Sequence, residues 1–263
     1  MKYIDGGVCS AKGFRAGGMN CGIKAGSTKK DLAMIVSDTM CSAAAVYTTN
    51  KVKGAPLAVT REHLINGTAQ AVICNSGNAN TCAPNGVDIA EKTCEITGSA
   101  LGLAAEDIIV CSTGVIGQEL SIKPFEYGVP KLAEKVSYDG GQEAAEAIMT
   151  TDTIPKSIAV EFEIDGKTCY IGGIAKGSGM IDPNMATMLS FITTDAAVSP
   201  EMLDKALKAD VNTSYNQICV DGDMSTNDTV AVLANGMAGN DEIAEAGTEF
   251  DVFCEALAMV TRY

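Results

Sequence analysis

The tightest constraint in this sequence lies in its middle. Ile158, Val160, Phe162 and Ile164 alternate with Ala159, Glu161 and Glu163. Alternation with a period of two marks a strand with one face buried. Asp165-Gly166 follows, and Thr168 to Ile171 reads as the return strand. An Asp-Gly pair supplies the two left-handed positions of a two-residue hairpin. The chain must therefore build a sheet around this hairpin, with its register fixed by the turn.

The rest of the chain alternates short apolar runs with helical stretches. Residues 32–36, 43–47 and 71–74 read as buried strands. The last of these runs into Asn75-Ser76-Gly77-Asn78-Ala79-Asn80, a turn-rich loop by composition. Residues 87–101 read as a helix. Residues 107–111 read as a strand that stops at Ser112-Thr113-Gly114, and 142–149 as a short helix. A strand begins at Thr187. Ser199 caps a helix that starts at Pro200 and runs to about residue 211. Residues 229–234 read as a strand. Residues 249–263 form an amphipathic helix with Phe250, Phe253, Leu257 and Val260 on one stripe. That helix stops in mid-pattern with no stop signal, which reads as a chain cut short. Such alternation predicts a layered α/β fold, with no repeat, low-complexity tract or linker.

Composition removes several function classes. The 263 residues are 46% hydrophobic, ample for a packed core. Mean hydropathy is +0.13, yet charges recur throughout and no apolar run is long enough to span a bilayer. The N-terminus lacks the apolar core of a signal peptide. A net charge of −14 disfavours nucleic acid and anionic membranes as partners. The ten cysteines form no C-x-x-C pair and mostly adjoin apolar residues. They read as buried thiols in a reducing, cytoplasmic compartment, and neither a disulfide framework nor a structural zinc site is expected. His63 is the single histidine. A serine or cysteine hydrolase scheme would have to use it, and no nucleophile elbow accompanies it.

The segment Lys176-Gly-Ser-Gly-Met-Ile-Asp-Pro-Asn-Met-Ala186-Thr187-Met-Leu-Ser-Phe carries the chemistry. A glycine- and proline-bearing loop leads into a strand whose first residue bears a hydroxyl, with small Ala186 before it. This suits an N-terminal nucleophile. The Thr187 hydroxyl attacks the Ala186 carbonyl, hydrolysis frees the Thr187 amine, and that amine serves as base for its own hydroxyl, so no histidine is needed. On spacing alone the alternatives stay open. Most threonines at strand starts are structural. Gly177-Ser178-Gly179 could also cradle phosphate, although it opens no helix and lacks the P-loop spacing.

The stretch 176–189 resembles the self-processing signature of the ornithine acetyltransferase family. Lys12-Gly13-Phe14-Arg15-Ala16-Gly17 through Gly22-Ile23-Lys24 resembles its opening. Thr48-Thr49-Asn50-Lys51-Val52, residues 75–80, Ser112-Thr113-Gly114-Val115-Ile116-Gly117 and residues 220–228 resemble further blocks, in order, across essentially the whole chain. The resemblance implies a layered α-β-β-α architecture shared with self-processing aminopeptidases. It implies scission between Ala186 and Thr187, giving 1–186 and the start of a second chain at 187–263, the latter shortened at its end. Thr187 would be the nucleophile, and Thr113 with the Gly114 N–H would form an oxyanion hole. Thr150 and Lys176 would contact substrate, with Thr151 and Thr153 close enough to Thr150 to compete for that role. The segments 75–80 and 221–228 read as scaffolding loops near the site.

The implied reaction moves an acetyl group from N2-acetylornithine to glutamate in arginine biosynthesis, with no metal or organic cofactor. Some members also accept acetyl-coenzyme A. The assembly implied is two copies of each cleaved chain. Two rival readings remain: a self-cleaving amidohydrolase or aminopeptidase of the same fold, and an inert binding or assembly paralogue or fragment.

Overall fold

The computed structural model describes residues 1–180 and 188–263. Its strands form one mixed sheet folded into two layers, and the strand shared by both layers is β3 (Leu32–Tyr47). The first part of β3 pairs antiparallel with β2 (Phe14–Met19) and β4 (Thr68–Asn78). Its last part pairs antiparallel with β9 (Thr229–Ala234). The β3–β4 register shifts between Val36 and Cys41, an irregularity of the kind that bends a strand. β5 (Ile108–Val115) lies parallel to β4 and completes the first layer. The second layer runs outward from β9 through β8 (Leu189–Thr194), β7 (Lys167–Lys176) and β6 (Lys156–Ile164) to β1 (Lys2–Ile4).

Successive side chains of a strand point to opposite faces, and here they sort into three apolar clusters. Leu32, Met34, Ile73 and Val110 face outward from the first layer. They meet α1 (Ala55–His63), α2 (Gly86–Leu101) and α3 (Lys123–Ala133) through Val59, Ile89 and Phe125. Val160, Phe162, Ile192 and Val232 face outward from the second layer. They meet Leu203 and Leu207 of α5 (Pro200–Val211) and Phe253 and Leu257 of α6 (Thr248–Thr261). The intervening residues, among them Ile35, Val72, Ile109, Ile174, Phe191 and Leu233, face one another across the space between the layers. Ala144, Ala147 and Ile148 of α4 (Gly141–Ile148) fill part of that space. Helices, sheet, sheet, helices is the expected α-β-β-α order.

The hairpin is as read. Ile164 pairs with Lys167, and Asp165 and Gly166 hold φ of 52° and 70°. The return strand runs on past Ile171 to Lys176. The Ser199 cap accepts the Met202 N–H at 3.4 Å, and β9 and α6 fall where expected. Three readings need correction. Residues 32–36 and 43–47 are one strand, not two. Asn75 to Asn78 continue β4 instead of forming a loop. Ser112 to Gly114 continue β5 instead of ending it. The physical reason is mutual satisfaction. The Ser112 hydroxyl donates to Asn75 Oδ1 at 2.7 Å and Asn75 Nδ2 donates to the Asn78 carbonyl at 2.9 Å, so these polar side chains need no turn to pair them. α3 escaped notice because Pro130 lies within it and proline argues against a helix interior. Most of the cysteines are shielded, but Cys82 and Cys219 are exposed.

Candidate active site

Strand parity builds the site. On β5, Ile109 and Cys111 face the space between the layers, so Thr113 faces it too. On β7, Ile174 does the same, which brings Lys176 to that face at the strand's end. The two side chains meet across the layers: Lys176 Nζ donates to Thr113 Oγ1 at 3.3 Å, both residues buried. With its oxygen accepting from a cation, the Thr113 hydroxyl hydrogen is left to donate elsewhere.

Gly114 follows at φ 136°, paired with Gly77 of β4. A Cβ at Gly114 would strike the Gly77 and Asn78 backbone. Only glycine lets β4 and β5 approach this closely beside Thr113.

The segment 149–153 is held to the end of β7 by a buried carboxylate. Asp152 accepts from Gly177 N at 2.7 Å, Thr150 N at 3.2 Å and Lys156 Nζ at 2.6 Å. Burial alone would raise its pKa; the Lys156 ammonium and the two N–H donors outweigh that and hold it below the usual carboxylate value. Thr150 is thereby fixed and half-buried, while the Thr151 hydroxyl is taken up by Ser178 at 2.8 Å and Thr153 is exposed. Lys24 adds a second cation. Its Nζ donates to the carbonyls of Lys30 and Met149. Its backbone is anchored by Asp31, a fully buried carboxylate that accepts the N–H groups of Cys21, Gly22 and Lys24. Burial lowers the pKa of both Lys24 and Lys176.

The second layer contributes Asp228, just before β9. Asp228 is 1% exposed. Its Oδ1 accepts the Met188 N–H at 2.7 Å, and no donor among the described residues reaches Oδ2. Burial pushes this carboxyl up to about 7, against the opposing pull of the Met188 N–H, the Ser225 hydroxyl and the Lys176 charge. The neighbouring Asn227 ties the layers together: its Nδ2 donates to the carbonyls of Ala79 and Ser112, and its Oδ1 accepts from the Thr81 hydroxyl. Segments 75–80 and 225–228 are thus scaffolding around Thr113. Asp221 accepts the Met180 N–H.

The structure therefore unites Thr113, Gly114 and Lys176 and places Thr150 beside them through Asp152. Ala186 and Thr187 lie outside the described residues. His63 is not part of the site. Its Nδ1 meets the Ile108 carbonyl at 2.8 Å, five residues and roughly 16 Å along β5 from Thr113. Sequence reasoning missed Asp152, Asp228 as an individual, and Lys24 as a site cation. Asp152 was hidden among three threonines, and its one legible signal is the lysine four residues on. Among the described residues no His/Cys/Asp/Glu cluster is arranged to hold a metal ion, and no helix is long and apolar enough to cross a membrane.

A model of the ArgJ family matches residues 15–263. The chain belongs to the ArgJ family. It is 49% identical, over its whole length, to the arginine biosynthesis bifunctional protein ArgJ of Caldanaerobacter subterraneus subsp. tengcongensis, and covers 65% of that protein. The ArgJ protein of Symbiobacterium thermophilum is likewise 49% identical over 99% of this chain, again with 65% of its own length matched. The chain thus spans slightly less than two thirds of these ArgJ relatives. Among solved structures, ArgJ of Bacillus halodurans matches with a TM-score of 0.66 at 41% identity, over 70% of this chain and 97% of that one. The ornithine acetyltransferase of Mycobacterium tuberculosis, solved with ornithine, matches with a TM-score of 0.64 at 37% identity, over 72% and 99%. An aminopeptidase of the Ntn hydrolase fold from Ochrobactrum anthropi matches at 0.55 and 12% identity, over 99% of this chain and 86% of that one. That distance shows a shared fold and nothing finer.

Proposed function

We propose that this ArgJ chain transfers an acetyl group from N2-acetylornithine to glutamate, through Thr187, after scission between Ala186 and Thr187. The observation that carries the reading is the Lys176–Thr113 junction between the layers, two residues on chain-distant strands brought within 3.3 Å. Family membership and the likeness to an ornithine acetyltransferase support the substrates.

In this scheme the Thr187 Oγ1 attacks the amide carbonyl of N-acetylornithine while its own free α-amine takes the hydroxyl proton. The developing oxyanion is received by the Thr113 hydroxyl and the Gly114 N–H, donors of the kind worth about 3–4 kcal/mol each. The C–N bond breaks, ornithine leaves with the proton, and an acetyl ester remains on Thr187. The glutamate amine then attacks that ester, and N-acetylglutamate leaves as Oγ1 regains a proton. Lys176, with Lys24 near it, supplies positive charge for an amino-acid carboxylate in a chain that is otherwise strongly acidic, and Thr150 contacts the substrate. The scheme needs no metal or organic cofactor; acetyl-coenzyme A is an alternative donor. The assembly proposed is two copies of each cleaved segment, in the cytoplasm. The aminopeptidase alternative rests on fold alone and is not favoured.

Intact mass of the expressed chain beside a Thr187→Ala variant tests the first stage. The wild type should give two fragments, the second beginning at Thr187, and the variant should stay whole and transfer no acetyl group. Parallel double-reciprocal lines for the two substrates test the second stage; intersecting lines would rule out the acetyl-enzyme.

A further inference from the structure

Among the described residues, Asp228 is the one carboxylate at this site whose arrangement acetyl transfer leaves unexplained. It is almost fully buried, it spends one oxygen on the Met188 N–H, and its other oxygen has no donor among the described residues. A buried acceptor without a partner is costly, so a fold that retains one invites a reason. The position supplies it. Asp228 holds the Met188 N–H, the amide that directly follows Thr187 in the chain. Among the described residues, the groups facing the carboxyl are few. Lys176 approaches from β7, the Met188 N–H from the start of β8, and the Ser225 hydroxyl from its own segment. Behind it, Thr229 turns toward the Cys111 thiol of β5. Lys176 is itself faced by Asp152, Lys156 and Lys24. No histidine is available within this set.

We infer that Asp228 is the proton carrier of the scission step, an inference that rests on the self-cleavage proposed above. Before scission the Thr187 nitrogen is an amide and cannot act as base, so the hydroxyl needs another acceptor. The free Oδ2 of Asp228 takes the Thr187 hydroxyl proton as Oγ1 bonds to the Ala186 carbonyl carbon. When the Ala186 C–N bond breaks, the same proton passes to the departing nitrogen. The products of this step are an ester between Ala186 and Thr187 Oγ1 and a free Thr187 amine. Water then cleaves the ester, its hydroxyl going to the Ala186 carboxyl and its hydrogen to Oγ1. Asp228 ends as it began, and the new amine takes over as base for acetyl transfer.

The test is the rate of scission against pH, followed by intact mass on freshly synthesised wild-type and Asp228→Asn chains. Asparagine keeps an acceptor for the Met188 N–H but cannot carry the proton. The wild-type rate should rise with pH through a midpoint near 7 and then level. Asp228→Asn should be slowed about 100-fold or more and lose that midpoint, with its near-ultraviolet circular dichroism unchanged. A second measurement does not depend on cutting: in the whole Thr187→Ala chain, carbon-13 NMR of the Asp228 carboxyl should show it titrating near 7. Scission of Asp228→Asn at the wild-type rate, or a carboxyl that titrates as an ordinary exposed one, overturns this inference alone. A wild-type chain that stays whole overturns the self-cleavage reading and this one with it.

Discussion

Asp152 and Asp228 both lie buried beside Lys176, yet their surroundings treat them oppositely. Asp152 receives an ammonium and two backbone N–H groups, and its pKa falls. Asp228 receives one N–H and the Ser225 hydroxyl, its other oxygen has no donor among the described residues, and its pKa rises to about 7. Proximity to the same lysine does not decide the outcome. What decides it is how many hydrogen bonds replace the lost water around each carboxylate. The first is a structural clamp, permanently charged in the neutral range. The second is poised between its two forms, as a group that gives and takes a proton should be.

The contrast can be broken at either member. The largest effect should come from Asp228, whose folded pKa exceeds its unfolded value. Above an unfolded value near 4 the unfolded chain gives up this proton more readily, so stability falls as pH rises and levels beyond about 7. Three units correspond to about 4 kcal/mol. Urea unfolding between pH 4 and 8 should show that decline in Thr187→Ala and lose it in the Thr187→Ala, Asp228→Asn double variant. Asp152 has the opposite sign: its contribution is present above the unfolded value and lost as pH falls through the lower folded one. Asp152→Ala should cost about 2–3 kcal/mol at pH 7, read as a lower urea midpoint at unchanged slope, because it strands two N–H groups and Lys156. An unchanged midpoint would show that the clamp is not needed. The smallest effect is expected from Ser225→Ala. Loss of that hydroxyl should move the Asp228 midpoint up and leave Asp152 unmoved. A downward move would contradict the sign assigned to Ser225.

The outer parts of the fold were legible and the site was legible only in pieces. The hairpin at Asp165-Gly166, the capped helix at Ser199 and the stripe through Phe250, Phe253 and Leu257 follow from local rules, and the structure keeps them. The polar runs 75–78 and 112–114 misled because their residue types favour turns in isolation. Their hydrogen bonds come from each other and from Asn227, more than a hundred residues away. The same distance hid Asp152 and Asp228. A carboxylate's role depends on which donors the fold delivers to it, and no local pattern records that. Thr113 and Lys176 were reached through family resemblance; their meeting depends on the parity of two strands in different layers.

The order of strands has one more consequence. In the second layer β8 and β9 lie side by side, and both come after residue 187. Their outer neighbours, β7 on one side and β3 on the other, both come before it. If the chain is cut at 186–187, the later segment is left inserted as a two-strand wedge between strands of the earlier one, with six residue pairs along each seam. The two pieces cannot drift apart as folded bodies. Separation would require unzipping both seams and opening the apolar layers on either side, so the covalent bond can be spent without loosening the assembly that it once joined.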